Sequence, residues 1–377
     1  MSDVTVLANF WKSSGITVLT GGQVLMIAIG FFLVFIAVIK KLQAQILIPL
    51  ALGIILANVP ISFISGPTGF LGSLYSFGIV KEFFLIFFFI GLGAMADFGP
   101  LIANPKTGLL GLASQVGIFV TFIIALLLAN TFGFSLKSAA VVGILGAADG
   151  ATAMFLSSKL SPEIFGAVVV TAYFYIAVLP VLQPPIMRML VTEEERKIRM
   201  QSLKGVSRAA KLVTASLVLI LCIIFVPAVS PLVGAFVFGN ILKESRVADK
   251  LTKAARDELL DITTIFLGLT AGSMLSASSF LKLETLGIVI LGFLAVITGT
   301  FTGVLLAKIM NKLSKEPVNP LIGAAGVSAL PVASRVVYTE GARYDAKNQL
   351  LLHAMGPNVA GLIASLITAG IFLSILG

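Results

Sequence analysis

Residues 143–155 read GILGAADGATAMF, a glycine-rich stretch with one acid that lies between two long apolar runs. Gly143, Gly146 and Gly150 weaken a helix, because glycine loses more conformational freedom on folding than any other residue. Asp149 is the acid, and a carboxylate at membrane depth costs at least about 2.5–3.5 kcal/mol, so it marks a functional site by default. A broken helix with one carboxylate offers the free carbonyl oxygens and the negative charge that a bound cation needs. The alternative is a helix end at the membrane interface, where Asp149 only caps the helix.

The composition is that of a membrane protein. Of the 377 residues, 58% are hydrophobic and 11% are charged, whereas a soluble domain carries about 25% charged residues. The long apolar runs predict an all-α polytopic membrane protein, since an outer-membrane barrel would show alternating segments of about ten residues. The net charge of +9 does not indicate nucleic acid, because the Lys and Arg residues lie mainly in loops, where they set the topology.

A charged segment divides the chain into two membrane regions. Residues 1–21 carry Trp11 among apolar residues at helical spacing, which predicts an interfacial N-terminal helix. Residues 22–190 form the first membrane repeat, and residues 212–377 form the second. Between them, residues 191–211 are rich in Glu, Lys and Arg, which predicts a solvated connector in the cytoplasm.

Matching stretches indicate that the two regions are repeats. Pro49–Asn58 and Pro231–Asn240 have the same spacing from Pro to Asn, and Gly143–Gly146 corresponds to Gly323–Gly326. The loop after the first Pro–Asn run has no Lys or Arg, whereas its counterpart, residues 243–256, has five. By the positive-inside rule these loops lie on opposite sides of the membrane. The sequence therefore predicts two inverted repeats with broken or re-entrant helices that meet near the membrane midplane.

The second broken element, residues 319–337, reads NPLIGAAGVSALPVASRVV. Asn319 and Ser328 supply neutral oxygens. Arg335 is a fixed cation, because its pKa keeps it protonated. It either binds an anionic substrate group or pairs with Asp149, and the alternative is that it extends to the membrane interface.

Two further polar residues have both a functional and a packing interpretation. The Tyr175 hydroxyl could coordinate a cation or relay a proton, and the alternative is a packed aromatic residue with a satisfied hydroxyl. Asn358 is a polar group in the last apolar run, and it could form only a helix–helix hydrogen bond.

Three motifs in order, GAADGAT, YFYIAVLPVLQPPIMR and NPLIGAAGVSALPVASRVV, resemble the β-subunits of the biotin-dependent, sodium-translocating decarboxylases. These enzymes act on oxaloacetate, methylmalonyl-CoA or glutaconyl-CoA. The resemblance covers most of the chain. It implies that a carboxyltransferase moves a carboxyl group from the substrate to biotin. The β-subunit then decarboxylates carboxybiotin, consumes a proton and exports Na⁺.

The resemblance also implies roles for single residues. Asp149 is then the first sodium ligand and the proton-linked acid. Tyr175 and Ser328 are parts of a second sodium or proton site, and Asn319 and Gly323 are elements of the same pathway. Sodium is a hard cation that favours oxygen ligands, which these residue types supply.

The resemblance implies that Arg335 contributes to the handling of carboxybiotin or sodium, so that Arg335, Asp149 and Tyr175 form the catalytic set. The implied cofactors are Na⁺ and a biotin carried on another subunit. The implied partners are a carboxyltransferase α-subunit, a biotin carrier subunit and a small membrane-anchoring γ or δ subunit. A homo-oligomer within the complex and a place in the bacterial inner membrane are also expected. The short chain favours an acyl-CoA enzyme.

A second function remains open from the residues alone. A secondary ion-coupled transporter has the same inverted-repeat layout, and neither composition nor topology separates it from an enzyme-coupled pump. The chain has no GxxxxGK[ST] motif, so ATP hydrolysis through a P-loop is not expected.

Overall fold

The computed structural model describes residues 11, 14–40, 44–280, 282–314 and 316–377, and every regular element within these ranges is helical. The all-α prediction is therefore confirmed. The predicted interfacial helix of residues 1–21 lies largely outside the described residues.

Within the described ranges the chain forms twenty α-helices, and eleven of them lie in its first half. They are α1 Gly21–Ile39, α2 Ala44–Ala57, α3 Phe70–Tyr75, α4 Phe83–Met95, α5 Gly99–Ala103, α6 Gly108–Ser114, α7 Val116–Leu127, α8 Ala129–Phe132, α9 Leu136–Ile144, α10 Gly150–Leu160 and α11 Phe165–Leu190. Short 3₁₀ or π turns lie at Gly15–Val18, Ser76–Val80, Pro105–Thr107, Leu145–Ala147 and Pro162–Ile164.

The second half forms nine more. They are α12 Glu193–Arg196, α13 Arg208–Phe225, α14 Ser230–Ser245, α15 Asp249–Ala254, α16 Leu260–Ser273, α17 Ala277–Phe280, α18 Leu283–Leu313, α19 Val332–Ala342 and α20 Leu350–Leu376. Further 3₁₀ or π turns lie at Pro227–Val229, Ala255–Leu259 and Pro320–Gly326.

Several of these helices are long and apolar enough to cross a bilayer, so the chain is a multi-pass membrane protein. Within the described ranges six segments qualify: Gly21–Ile39, Pro105–Leu127, Pro162–Leu190, Arg208–Phe225, Leu283–Leu313 and Leu350–Leu376. A seventh is possible if Phe70–Val80 and Phe83–Met95, which are bent by 58° at their junction, count as one span. The two glycine-rich breaks lie outside this set: the first lies between the short helices α9 and α10, and the second lies between the long helix α18 and the short helix α19.

The short helices pack across the two predicted repeats in a reciprocal way. Helix α2 packs on α16, and α14 packs on α4. A Cβ on Gly272 would lie 2.1 Å from the Leu50 carbonyl oxygen, and one on Gly93 would lie 1.8 Å from the Phe236 carbonyl oxygen. Both helix pairs therefore need a glycine where their backbones touch.

The matched asparagines of the repeat make equivalent bonds. Asn58 Nδ2 donates to the Leu275 carbonyl at 2.7 Å, just after α16 ends. Asn240 Nδ2 donates to the Ala96 carbonyl at 3.0 Å, just after α4 ends. Each asparagine thus satisfies a carbonyl at a helix end of the other repeat. Such an exchange of contacts is what a two-fold relation between the two repeats would require. That the repeats are inverted across the membrane stays a prediction.

Most residues of the charged connector are exposed, and the connector is also bonded to the second membrane region. Asn348 Nδ2 donates to the Ile198 carbonyl at 2.8 Å, and the Glu195 carboxylate lies 3.2 Å from Lys308 Nζ. Arg199 pairs with Asp345, and its guanidinium holds the pKa of that carboxyl below its ordinary value. An irregular segment has backbone carbonyls that need donors, and side chains of the second repeat supply them here.

We expect Gly93→Ala to destabilise the protein by about 1–3 kcal/mol, the usual cost of overpacking, because the new Cβ meets the backbone of α14. Gly234→Ala is the matched control, since nothing lies within 4 Å of its Cβ position. Alanine should be neutral or mildly favourable there. Thermal unfolding in detergent measures both. Equal stability of the two variants would contradict the close α4–α14 contact.

Candidate functional site

The glycine-rich stretch at residues 143–155 is broken as the sequence predicts. Helix α9 gives way to a 3₁₀ turn at Leu145–Ala147, Ala148 adopts a left-handed φ of 55°, and Asp149 is extended before α10 begins. A left-handed conformation costs a residue with a side chain about 1–2 kcal/mol. The chain therefore reverses at a defined point, and the carboxylate follows that point directly.

Asp149 caps α10, but it is buried rather than placed at an exposed helix end. Its carboxylate accepts a hydrogen bond from the Thr152 backbone N–H at 3.3 Å, and the residue is only 4% exposed in the folded chain. The Thr152 hydroxyl donates to Oδ2. The Ser365 hydroxyl lies 3.1 Å from the same oxygen and 2.8 Å from the Leu362 carbonyl, so its one proton is shared between two acceptors. The helix N-terminus and these hydroxyls stabilise a negative charge here. The capping and ion-site interpretations are thus compatible in this geometry.

The second broken element lies directly against the first. It contains the 3₁₀ turn Pro320–Gly326 and is extended at Val327. The Ser328 backbone N–H donates to the Ala147 carbonyl at 2.6 Å. The Ser328 hydroxyl is buried and has no hydrogen-bond partner within the described part of the chain. The structure therefore brings Ser328 to the segment that carries Asp149.

One face of α20 contacts both breaks. Asn358 Nδ2 donates to the Ala325 carbonyl at 3.0 Å and to the Val327 carbonyl at 2.7 Å. A Cβ on Gly361 would lie 2.1 Å from the Gly326 carbonyl oxygen. Ser365 then bonds Asp149. Spacings of three and four residues place these three residues on one side of the helix.

Tyr175 lies on α11, which packs against the start of α10. A Cβ on Gly150 would lie 3.5 Å from Ala172 Cβ, in the turn of α11 just before Tyr175. The Tyr175 side chain is fully buried, and its hydroxyl has no hydrogen-bond partner among the described residues. Tyr175 is therefore not the packed aromatic residue with a satisfied hydroxyl that was its alternative interpretation.

Asn319 and Gly323 have other neighbours. Asn319 Nδ2 donates to the Arg196 carbonyl at 2.8 Å and to the Ile198 carbonyl at 3.0 Å, and its oxygen accepts from Leu321 N–H. Asn319 therefore joins the second break to the connector. A Cβ on Gly323 would lie 2.2 Å from the Gly303 carbonyl oxygen, so Gly323 allows close contact with α18. The structure does not place either residue in contact with Asp149.

Arg335 lies in a separate cavity of about 860 Å³. Leu330 and Pro331, which follow the second break, form part of its wall, and Phe88 and Leu92 add apolar surface. The Arg335 side chain is exposed and has no ion-pair partner in the described ranges. It does not pair with Asp149.

The other two arginines of this cavity are already paired. Arg343 lies 3.4 Å from Glu340, and Arg256 lies 2.8 Å from Asp257. Among the cavity-lining residues that the structure describes, Arg335 is thus the arginine available to an anion.

The sequence analysis missed Thr152 and Ser365 as partners of Asp149. Thr152 occupies the third position of α10, where an N-cap side chain accepts a backbone bond, so helix-capping rules give a signal for it. Ser365 lies 216 residues from Asp149 in a mostly apolar helix, and no local pattern marks it.

Comparison with known proteins places the whole chain in one group. The family model for the Na⁺-transporting oxaloacetate decarboxylase beta subunit matches residues 22–376. The methylmalonyl-CoA decarboxylase subunit beta of Propionigenium modestum is 44% identical, over 98% of this chain and 99% of that protein. The glutaconyl-CoA decarboxylase subunit beta of Acidaminococcus fermentans is 43% identical, over 99% and 98%. The oxaloacetate decarboxylase beta chain of Klebsiella pneumoniae is 41% identical, over 95% and 96%.

These matches agree with the motifs quoted above and extend over the membrane helices, both breaks and the connector. Because the family model covers nearly the full length, the chain belongs to the family of Na⁺-transporting oxaloacetate decarboxylase beta subunits.

Proposed function

We propose that this chain decarboxylates carboxybiotin, which a partner subunit delivers, and couples that step to Na⁺ export with consumption of a proton. The partners would be a carboxyltransferase α-subunit, a biotin carrier and a small membrane-anchoring γ or δ subunit. The complex would lie in the bacterial inner membrane and contain more than one copy of this chain. The named relatives act on three different acids, so the choice of acid belongs to the carboxyltransferase.

One observation carries this proposal. Ser328 touches the Asp149 break through its backbone, and Arg335, seven residues later, faces the cavity without an ion-pair partner in the described part of the chain. A single short segment therefore joins an anion-binding position to a carboxylate site. Energy from a reaction in the cavity can reach the cation site through that segment.

The cavity fits the substrate in size and offers it both apolar surface and Arg335, although Asp257, Asp261 and Glu340 also line it. Its volume of about 860 Å³ lies within the range of about 300–1,000 Å³ found for small-molecule sites. Phe88, Leu92 and Leu330 provide apolar walls for the ring system of biotin. The Arg335 guanidinium can form a bidentate, charge-assisted contact with a carboxylate.

The reaction releases CO₂ as the bond between a ureido nitrogen and the carboxyl carbon breaks, and that nitrogen takes up one proton. Arg335 would hold the carboxylate until the charge leaves with this step. Loss of the negative charge removes the contact that holds Arg335, so α19 and the preceding Ser328 can relax. This sequence of events links decarboxylation to the second break.

The Asp149 position suits an exchange of Na⁺ for a proton. It supplies one negative charge, and the Thr152 and Ser365 hydroxyls lie within hydrogen-bond distance of it. Ser328 and Tyr175 add buried hydroxyls on the two elements that pack against this break. A buried carboxylate without compensation is costly, so either Na⁺ or a proton is expected to neutralise it, and not both. In this proposal Asn319 and Gly323 act indirectly, by anchoring the second break to the connector and to α18.

The test is Na⁺-dependent decarboxylation by native membranes, solubilised mildly and eluted from avidin, with this chain followed by antibody. Co-elution with Na⁺-stimulated activity supports the pump, and Asp149→Asn should leave co-elution intact while it abolishes the Na⁺-coupled turnover. If the chain stays in the flow-through and the eluate ignores Na⁺, the chain is instead a secondary ion-coupled transporter.

Ser365→Ala should raise the Na⁺ concentration for half-maximal activity by about tenfold, as expected from the loss of a polar contact worth about 1–1.5 kcal/mol. Ser374→Ala on the same helix is the matched control, because that hydroxyl bonds only the Gly370 carbonyl of its own helix. The Na⁺ dependence of decarboxylation measures both variants. An unchanged dependence in Ser365→Ala would remove this residue from the cation site.

Arg335→Gln should raise the KM for freshly prepared carboxybiotin by about 10- to 100-fold, since a charged hydrogen bond is worth about 1.5–3 kcal/mol. Arg335→Lys should recover only part of the loss, because lysine cannot bind a carboxylate in a bidentate way. Arg343→Gln controls for the loss of a positive charge from the same cavity. If it raises the KM as much as Arg335→Gln, Arg335 is not the specific carboxylate anchor.

A further inference from the structure

A second cavity, of about 580 Å³, lies beside the charged connector and shares no lining residue with the Arg335 cavity. Four parts of the chain form its walls. They are residues 103–106, residues 199–204 of the connector, the end of α18 with the loop that follows it, and His353 near the start of α20. Its volume lies within the range of about 300–1,000 Å³ that small-molecule sites occupy. The function proposed above gives this cavity no role.

This connector cavity lies where three of the candidate membrane spans end. Pro105–Leu127 begins at its wall, Leu283–Leu313 ends beside it, and Leu350–Leu376 contributes His353 from its first turn. The headgroup regions of a bilayer flank a hydrocarbon core about 30 Å thick, so the ends of spanning helices lie at the level of the headgroups. A molecule in the connector cavity would therefore lie at the depth of the lipid phosphates.

The connector cavity carries a surplus of positive charge. Lys106 and Lys204 come from different walls and are exposed, and neither has an ion-pair partner in the described ranges. Arg199 is a third cationic group, and it already pairs with Asp345. Glu316 is the one carboxylate among the lining residues that the structure describes. Because two lysines at the wall have no counter-charge, the cavity favours an anionic ligand.

His353 provides a second, independent indication of a ligand in the connector cavity. It is the only histidine in the chain, and it is 7% exposed. Its Nδ1 is buried and has no hydrogen-bond partner among the described residues. An imidazole nitrogen can take part in one hydrogen bond, and a buried polar atom without a partner calls for a ligand or an ordered water. An N–H at this position would donate to an oxygen of the anion that the lysines attract.

We propose that the connector cavity binds the phosphate group of an anionic ligand, with Lys106 and Lys204 as the cationic contacts and His353 Nδ1 as a buried donor. Phosphate oxygens accept charge-assisted hydrogen bonds from such groups. The depth of the cavity makes a lipid headgroup the source that fits best, since basic pockets between spanning helices on the cytoplasmic side bind such headgroups. The proposal rests neither on Na⁺ transport nor on carboxybiotin.

A bound headgroup would join the connector to the last helix. Lys204 belongs to the connector, whereas His353 lies on α20, which also carries Asn358 and Ser365 to the two breaks. The connector is already bonded to the second membrane region through Asn348. The ligand adds a contact at the same junction, so we expect it to stabilise the folded chain.

The test is thermal unfolding of the chain, purified in a neutral detergent and washed free of lipid. The titrants are dihexanoyl phosphatidylglycerol, dihexanoyl phosphatidylcholine, inorganic phosphate and hexaglutamate, all at matched ionic strength. A ligand that binds only the folded state raises the unfolding midpoint in a saturable way. We expect phosphatidylglycerol to do so at concentrations at which phosphatidylcholine, with the same acyl chains and no net charge, has no effect.

The variants assign the effect to the cavity. Lys204→Gln should need about threefold more phosphatidylglycerol for the same shift, and Lys106→Gln/Lys204→Gln about tenfold more, because exposed ionic contacts are lost. Lys312→Gln is the matched control and should respond like the wild type, since Lys312 is an exposed lysine at the end of α18 that does not line the cavity. His353→Phe should also weaken the response; should it fail to accumulate, the lysine variants decide alone.

Several results would overturn the proposal: no saturable shift by either phosphatidylglycerol or phosphate, an equal shift by phosphatidylcholine or hexaglutamate, an unchanged response in the double lysine variant, or an equal loss in Lys312→Gln. A saturable shift by inorganic phosphate alone that depends on Lys106 and Lys204 would support the phosphate site and assign it to a soluble ligand. These measurements do not involve decarboxylation, so a failure here leaves the proposed function standing.

Discussion

The structure depends on one backbone contact, the hydrogen bond from Ser328 N–H to the Ala147 carbonyl. Each partner belongs to a segment that leaves helical geometry inside an apolar protein, where an unpaired peptide group is costly. By pairing with each other, the two breaks satisfy part of this need and are held at one place. The carboxylate of Asp149 and the hydroxyl of Ser328 are brought together as a consequence.

Side-chain amides bond further carbonyl groups of the second break. Asn358 covers the carbonyls of Ala325 and Val327, and Gln183 covers that of Ala324. These donors come from the last helix and from α11, which are also the helices that carry Ser365 and Tyr175 to the same region. The second break is therefore surrounded by the groups that its ligand would need. The second break leads into α19, which carries Arg335 to the cavity, so the proposed cation and anion positions lie on one continuous segment of chain.

Much of this arrangement could be predicted from the sequence, because it follows from strong local signals. An isolated acid among glycines marked Asp149, and a proline- and glycine-rich run with Ser328 marked the second break. The sequence matches Pro49–Asn58 with Pro231–Asn240 but does not predict that α2 packs on α16 and α14 on α4. The Ser365 contact could not be predicted, since 216 residues separate the partners and no spacing rule spans that distance.

The sequence provided the least information about motif residues that bond or pack against main-chain groups elsewhere in the protein. Asn319 was expected to supply an oxygen ligand, and in the structure its amide nitrogen donates hydrogen bonds to the carbonyls of Arg196 and Ile198. The charged composition of the connector predicts solvent exposure, but it does not reveal which side chains bond the connector's main chain. Gly323 was grouped with the ion path, and the structure gives it a packing role against Gly303.

The central claim is that Ser328 lies in a Na⁺ site reached from the Arg335 cavity. The chain has one cysteine, Cys222, so Ser328→Cys in a Cys222→Ala background gives a single reactive thiol. The measurement is its rate of modification by a membrane-impermeant thiol reagent, applied from the connector side at increasing Na⁺. The account predicts that Na⁺ slows modification, with the same half-saturation as its effect on decarboxylation in that variant. A rate that is independent of Na⁺, or modification only from the opposite side, would contradict it.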